Sequence, residues 1–249
     1  MFQINSADTK NRKLIESQGP FQIYEYEKDL SVSPSNAAQA YFASEMNIKK
    51  RQVFVTLNDS DVVLQSGAMQ WMAGNVSAAT NIKGAGDFIK KLAGSKVTKE
   101  SAIKPRYHGT GSVVLEPTYK YLLIENAADW NGMVIEDGLF LACEGSVDMK
   151  VVARSTFSSA VAGGEGLFNT CLKGAGYVVL ESAYPREELL EVNLQDDVLK
   201  IDGSYAIAWS QSLQFTVERS TKSLIGSAAS GEGLVNVYRG TGKVLMAPL

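Results

Sequence analysis

The sequence predicts an all-β protein with a minor share of helix. Its short antiparallel strands form three pseudo-repeats arranged with pseudo-threefold symmetry. Three observations carry this. Short runs rich in Val, Ile, Leu and Tyr follow one another, separated by Gly, Asp and Asn, which is the pattern of strands and their turns. A Gly-x-Gly motif recurs in "HGTGSVVLEP" from His108, "KGAGYVVLES" from Lys173 and "RGTGKVLMAP" from Arg239, with starts 65 and 66 residues apart. The segment "DGLFLACEGSVDMKVVARS" from Asp137 also returns at an offset of 65 as "DGSYAIAWSQSLQFTVERS" from Asp202.

Taken in order, residues 1–47 lie outside the repeat. They hold the best helix candidate, "SNAAQAYFASEMN", an Ala-rich run with Ser35 or Asn36 as N-cap. "RQVFVTLNDSDVVLQSG" from Arg51 matches "KYLLIENAADWNGMVIEDG" from Lys120, and "SGAMQWMAGNV" from Ser66 matches "DGLFLACEGSV" at an offset of 71. The extra residues fall near "NIKGAGDFIKKLAG", whose "GDFIKKLAG" reads as a second short helix. "STFSSAVAGG" and "STKSLIGSAASG" hold equivalent places before "GGEGLFN" and "SGEGLVN", and read as a turn or two of helix each. The motif starts set the units at 108–172 and 173–238, with the other unit split between 48–107 and 239–249. On this reading the C-terminal strand closes onto the N-terminal unit, removing an open sheet edge in one compact domain.

The totals narrow the function. The chain has 249 residues, 45% apolar and 20% charged, enough for a sizeable core. A net charge of −3 supplies no general basic field for a polyanion. The two cysteines, Cys143 and Cys171, lack metal-ligand spacing and read as free thiols. Cys143 aligns with Ala208 and Met72, a buried packing position. "MFQINSADTK" has neither a secretory h-region nor an Arg-rich amphipathic pattern, so the expected location is cytoplasmic. No apolar run approaches the ~18 residues of a membrane span.

Several residue types invite a chemical reading. The glycine-rich "GGEGLFNTCLKGAG" invites a phosphate loop, but Lys173 precedes its glycine and the run leads into a strand rather than a helix. Gly109, Gly111, Gly174, Gly176, Gly240 and Gly242 therefore read as structural turn glycines. His108 is the one histidine, and its repeat partners are Lys173 and Arg239. What the three places share is a cation and not imidazole chemistry, so no catalytic residue is assigned. If the three converge they form an anion-contacting triplet; if not, they are surface charges paired locally. Glu100, Glu165 and Glu232 form a matching acidic set ahead of the motifs, Glu100 within a degenerate copy.

"KKR" at Lys49 to Arg51 is the one tight basic run, and Tyr119 and Tyr121 the nearest aromatic pair of one strand, with no RNA-binding motif around them. "NDSD" (Asn58 to Asp61) and "QDD" (Gln195 to Asp197) lack calcium-loop spacing, fall at equivalent strand junctions and read as turns. Trp71, Trp130 and Trp209 do not align and read as packing residues. No metal or cofactor is expected.

"GEGLFNTCLKGAG", "GEGLVNVYRGTGKVLMAP" and "GAMQWMAGNV", in that combination, resemble the AIM (altered inheritance of mitochondria) family of mitochondrial-biogenesis type over residues 48–249. The resemblance implies a fold like that of the tryptophan RNA-binding attenuation protein, with three such units in one chain. The function expected is a non-catalytic binding or scaffold protein whose partner is another protein or itself. RNA or other polyanion binding by fold analogy comes second, and a small-molecule enzyme third.

Overall fold

The computed structural model describes residues 2–5, 7–79, 104–153, 168–219 and 234–248. Nearly everything regular in it is strand. The N-terminal part supplies β1 (Arg12–Gln18), β2 (Phe21–Tyr26) and the helix α1 (Ala37–Glu45). Three strand sets follow. The first is β3 (Arg51–Leu64), β4 (Met69–Ala79) and β5 (Arg106–Leu115). The second is β6 (Tyr121–Asn126), β7 (Met133–Ile135), β8 (Phe140–Glu144), β9 (Val147–Ala153), β10 (Phe168–Gly174) and β11 (Tyr177–Ser182). The third is β12 (Leu190–Asp202), β13 (Ala206–Ser210), β14 (Gln214–Arg219) and β15 (Leu234–Met246).

These strands form two antiparallel sheets. The eight-stranded sheet runs β1-β2-β3-β8-β11-β6, with β5 on β3 and β4 on β5. The seven-stranded sheet runs β12-β15-β13-β7-β10-β9, with β14 on β15. The pairing scheme recurs in each set: the outgoing strand lies against the last, and the middle strand against the other side of the last. Residues from both sheets meet in the largest core cluster, where Cys143, Val178 and Leu180 pack with Met133, Ile135, Leu172 and Leu245. Burying each such aliphatic side chain contributes roughly 1.5–3 kcal/mol, which is why the strands read as Val- and Leu-rich runs.

The outgoing strands β3 and β12 each bend at a bulge, between Leu57 and Ser60 and between Leu194 and Asp197. Asp59 (φ 49°) and Asp196 (φ 52°) take the left-handed conformation there. Each donates its backbone N–H to a threonine Oγ1 at 3.0 Å, Thr110 and Thr241 respectively. These are the middle residues of the two "GTG" motifs. The second set has "GAG", with no hydroxyl at Ala175, and there a 3-10 turn at Ala127–Trp130 separates β6 from β7. "NDSD" and "QDD" are thus backbone bends, as expected.

Strand pairing corrects the closure. β15 pairs with β12, β13 and β14 and, among the described residues, with no strand of residues 48–107. The cause is where the motif sits. In two copies the glycines lie within a strand, Gly109 and Gly111 in β5 and Gly240 and Gly242 in β15. Cutting the repeat at the motif therefore cuts through a strand and leaves its second half looking unpartnered. Only in the second copy do Ala175 and Gly176 interrupt the strand, linking β10 to β11.

The β1–β2 hairpin is a feature the sequence reading missed. Its signal is Gly19-Pro20 between the alternating runs "KLIESQ" and "FQIYEY", and Gly19 has φ 53°. α1 matches the expected helix, and Asn36 is its N-cap residue. Asn36 makes no side-chain cap bond; its Oδ1 instead accepts from the Ser33 backbone N–H at 2.8 Å. The other expected helices, at 86–94, 155–164 and 220–231, lie outside the described residues.

Candidate functional site

The three residues of the basic series stand on the last strand of each set: His108 on β5, Lys173 on β10 and Arg239 on β15. Each faces an acid of a neighbouring strand. Antiparallel register puts Asp61 of β3 opposite His108, and its Oδ1 lies 2.7 Å from His108 Nδ1. Arg106 Nη1 donates to the other Asp61 oxygen at 2.9 Å, and Asp59 lies 3.8 Å from His108 Nε2. Partial burial works to raise the Asp61 pKa, but the hydrogen bonds from His108 and Arg106 win and hold it below the usual range. Arg239 grips Glu218 of β14 through two bonds of 2.5 and 2.8 Å, and that carboxyl is held down at about 2, chiefly by the guanidinium hydrogen bond. Lys173 is exposed, opposite Asp148 of β9. The three therefore occupy separate strands of two sheets, each beside its own acid. Glu100, Glu165 and Glu232 lie outside the described residues.

In the sequence Asp61 stands out only as the end of the "NDSD" turn and Glu218 not at all, and nothing there matches either to its partner. Only strand register brings Asp61, 47 positions away, to His108. Ser77 of β4 stands in register on the other side of His108, so the row reads Ser, His, Asp by residue type. Ser77 makes no hydrogen bond to the imidazole; Ser77 and His108 are exposed and Asp61 is half-buried. The row has the composition of a triad without its geometry.

The basic run is spent in the same way. Lys49 pairs with Glu25 at 3.2 Å and Glu27 at 3.1 Å, Lys50 with Asp29 at 2.8 Å, and Arg51 with Glu25 at 2.6 Å. Arg51 also stacks over Tyr121, 4.2 Å from the ring centre. Tyr119 precedes β6 and donates its hydroxyl to Asp29, so the two tyrosines do not alternate in one strand. Hydrogen bonds from Lys50 and then Tyr119 hold the Asp29 carboxyl at about 2.

The remaining candidates are architectural. Asn169 and Asn236 end the matched "GLFN" and "GLVN", and their Nδ2 atoms donate to main-chain oxygens, Ile135 at 3.1 Å and Gly203 at 2.9 Å. Burial pushes the Cys143 thiol up to about 12 and raises that of Cys171, and both are free. Trp130 and Trp209 are buried, but Trp71 is partly exposed, edge-on to Phe54. The reading of all three tryptophans as packing residues therefore holds for Trp130 and Trp209 and only in part for Trp71. Among the described residues no group of three His, Cys, Asp or Glu is placed to hold a metal ion. No helix among them is long and apolar enough to cross a membrane.

What stands open is the region around α1. A cavity of about 350 Å³ lies between the helix and the segment from Tyr26 to Val32, walled by Ala40, Ala43 and Ile48 and by Lys49, Asp29 and Tyr119. No residue of α1 is buried. Leu30, Tyr41, Phe42, Met46 and Ile48 are all exposed, and the Tyr41 and Phe42 rings meet edge to face at 5.5 Å.

Together these features define an all-β repeat protein whose motif residues shape the strands and whose His108, Arg239 and Lys49–Arg51 side chains are paired with acids of the same chain. The chain belongs to the AIM24 family, described as mitochondrial biogenesis AIM24, which it matches over residues 44–249. It is 28% identical over 195 residues to an uncharacterised protein of Streptococcus pyogenes serotype M6, spanning 76% of this chain and 77% of that one. The crystal structure of a Streptococcus pyogenes protein shares the fold, with a TM-score of 0.59 and 25% identity over 81% of this chain and 89% of that one. The family match begins inside α1, so β1, β2 and most of the helix precede it.

Proposed function

We propose that this AIM24-family protein is a non-catalytic binding or scaffold protein that acts in the cytoplasm by docking another protein. The observation that carries this reading is the contrast between its charges and its exposed apolar groups. His108, Arg239 and the Lys49–Arg51 run are committed to carboxylates of the same chain. Tyr41, Phe42 and Met46 instead stand exposed on or just after a helix that buries none of its residues, and the Tyr41 and Phe42 rings meet edge to face. Clustered exposed aromatic and Met side chains are what a docking surface requires, and leaving them in water serves no purpose in the isolated chain.

Polyanion binding is weaker on the same grounds, since His108, Arg239 and the Lys49–Arg51 run already hold carboxylate partners and Lys173 alone of the triplet makes no ion pair among the described residues. The test is cross-linking in cells with the wild type and with a variant carrying Tyr41→Ser, Phe42→Ser and Met46→Ser. All three residues are exposed, so the variant keeps the wild-type melting temperature. A specific protein cross-link that the variant loses supports the reading. Cross-links unchanged by the variant, or substrate turnover by the purified chain, overturn it.

A further inference from the structure

The core between the two sheets is open at one end. A cavity of about 510 Å³ lies there, with Val63 and Cys143 of the eight-stranded sheet on one side and Met149, Val151 and Thr170 of the seven-stranded sheet on the other. That volume falls within the ~300–1,000 Å³ of small-molecule sites. Strand alternation explains the second wall. Val147, Met149 and Val151 are every second residue of β9, and on this face Val147 and Met149 pack into the largest core cluster.

Two features of this cavity are costly without an occupant. Thr170 lines it and is 1% exposed, yet its hydroxyl has no hydrogen-bond partner among the described residues. A buried hydroxyl left so costs about 1–3 kcal/mol, which is why few are. Antiparallel register sets Val151 opposite Thr170, and Val151 is 43% exposed. An unsatisfied polar group at the floor thus adjoins apolar surface in water at the mouth. Positive charge is present as well, since Lys104 and Arg106 both line the cavity. Lys104 Nζ donates to Gln65 Oε1 and lies 4.4 Å from the centre of the Phe140 ring. Arg106 spends Nη1 on Asp61 and the Gly145 carbonyl, while its Nε and Nη2 make no hydrogen bond among the described residues. The field of both cations reaches the floor: burial raises the Cys143 pKa, and Arg106 and Lys104 oppose the rise. Asp148 is the one acid of the lining, exposed and opposite Lys173.

We propose that this cavity binds an aliphatic carboxylate with its head inward. The Thr170 hydroxyl donates to a carboxylate oxygen, and Lys104 with Nε and Nη2 of Arg106 balances the charge. The alkyl chain then runs outward over Met149 and Val151, covering the apolar surface that water now meets. Asp61 already balances part of the Arg106 charge, so a monoanion suits the floor better than a phosphate. The inference goes beyond the docking surface at α1, whose cavity shares no lining residue with this one. It concerns binding without turnover, so either reading can fail without the other.

The experiment is titration calorimetry on the full chain with hexanoate, octanoate and decanoate, each below the concentration at which it forms micelles. Acetate lacks the tail and 1-octanol the charge. The wild type binds one octanoate or decanoate per chain, and acetate and 1-octanol at least about tenfold more weakly. Thr170→Val keeps the side-chain shape and removes the unpaired hydroxyl, so it holds or raises the melting temperature while weakening octanoate about tenfold. Thr170→Ser restores the hydroxyl and most of the affinity. A merely structural threonine would instead move stability and affinity together. Lys104→Met keeps an apolar stem over Phe140 and weakens octanoate but not 1-octanol, and it carries the test if Thr170→Val does not fold. Binding of none of the three carboxylates, 1-octanol bound as tightly as octanoate, or octanoate affinity unchanged in the folded variants overturns the proposal.

Discussion

Replacing the first glycine of each motif with alanine separates architecture from ligand binding. Gly109, Gly174 and Gly240 occupy the same repeat position and have φ of 135°, 133° and 117°. All three alanines carry a conformational cost of about 1–2 kcal/mol, because a Cβ disfavours positive φ. Their surroundings differ. A Cβ on Gly240 finds its nearest neighbour, the Ser212 carbonyl oxygen, at 3.7 Å, an ordinary contact. On Gly174 it meets the Ser146 carbonyl oxygen at 2.6 Å, and on Gly109 the Asn75 carbonyl oxygen at 2.0 Å. Both are backbone atoms of a paired strand or its turn and cannot swing aside. Overpacking adds roughly 1–3 kcal/mol at Gly174, and more at Gly109, where β4 must part from β5. Gly240→Ala should therefore cost about 1–2 kcal/mol, Gly174→Ala about 2–5, and Gly109→Ala enough to threaten folding. Urea unfolding read as midpoints at constant slope gives the order. Equal costs, or Gly240 the most costly, would refute the steric argument. A rise in wild-type midpoint with added inorganic phosphate would refute the architectural reading itself.

Other outcomes follow from single contacts. Thr110→Val and Thr241→Val each remove the acceptor for a bulge N–H and should cost about 0.5–1.5 kcal/mol in urea. Asp29→Asn removes a carboxylate held at about 2 against an ordinary 3.8, so its contribution is present above the ordinary value and lost as pH falls toward 2. The variant should be less stable by about 1–2 kcal/mol at pH 7, with the gap closing in acid melts. Glu16 runs the other way: burial, then the Glu125 charge, raises its pKa above 4.5, so the folded state holds its proton more tightly. Glu16→Gln should raise the melting temperature at neutral pH, with the gain vanishing below the ordinary glutamate range. Cys143, with its thiol pushed up to about 12 by burial, should resist alkylation until the protein is unfolded.

The strands were legible because their residues must both fill a core and stop at turns. "SVVLEP" and "YLLIEN" show that locally. The repeat was legible because Gly109, Gly174 and Gly240 meet the same backbone demand in each set. Its phase was not. A glycine that lets two strands approach closely looks, in sequence, like one that ends a strand, and that ambiguity produced the closing C-terminal strand. The basic series was legible, but its partners were not, because Asp61 reaches His108 through β3–β5 register and Glu218 reaches Arg239 diagonally across β14–β15, where Gln214 stands opposite the arginine. The clustered apolar surface at α1 was hidden for another reason. "AAQAYFASE" reads as an ordinary helix, and nothing local says that none of it is buried.

The most direct test of the account is cross-linking mass spectrometry in cells on three forms of the chain. These are the wild type, a charge variant with His108→Gln, Lys173→Gln and Arg239→Gln, and the Tyr41→Ser, Phe42→Ser, Met46→Ser surface variant. The account predicts the same protein cross-links in the wild type and the charge variant, and their loss in the surface variant. Cross-links lost from the charge variant and kept by the surface variant, or RNA recovered only with the wild-type charges, would contradict it.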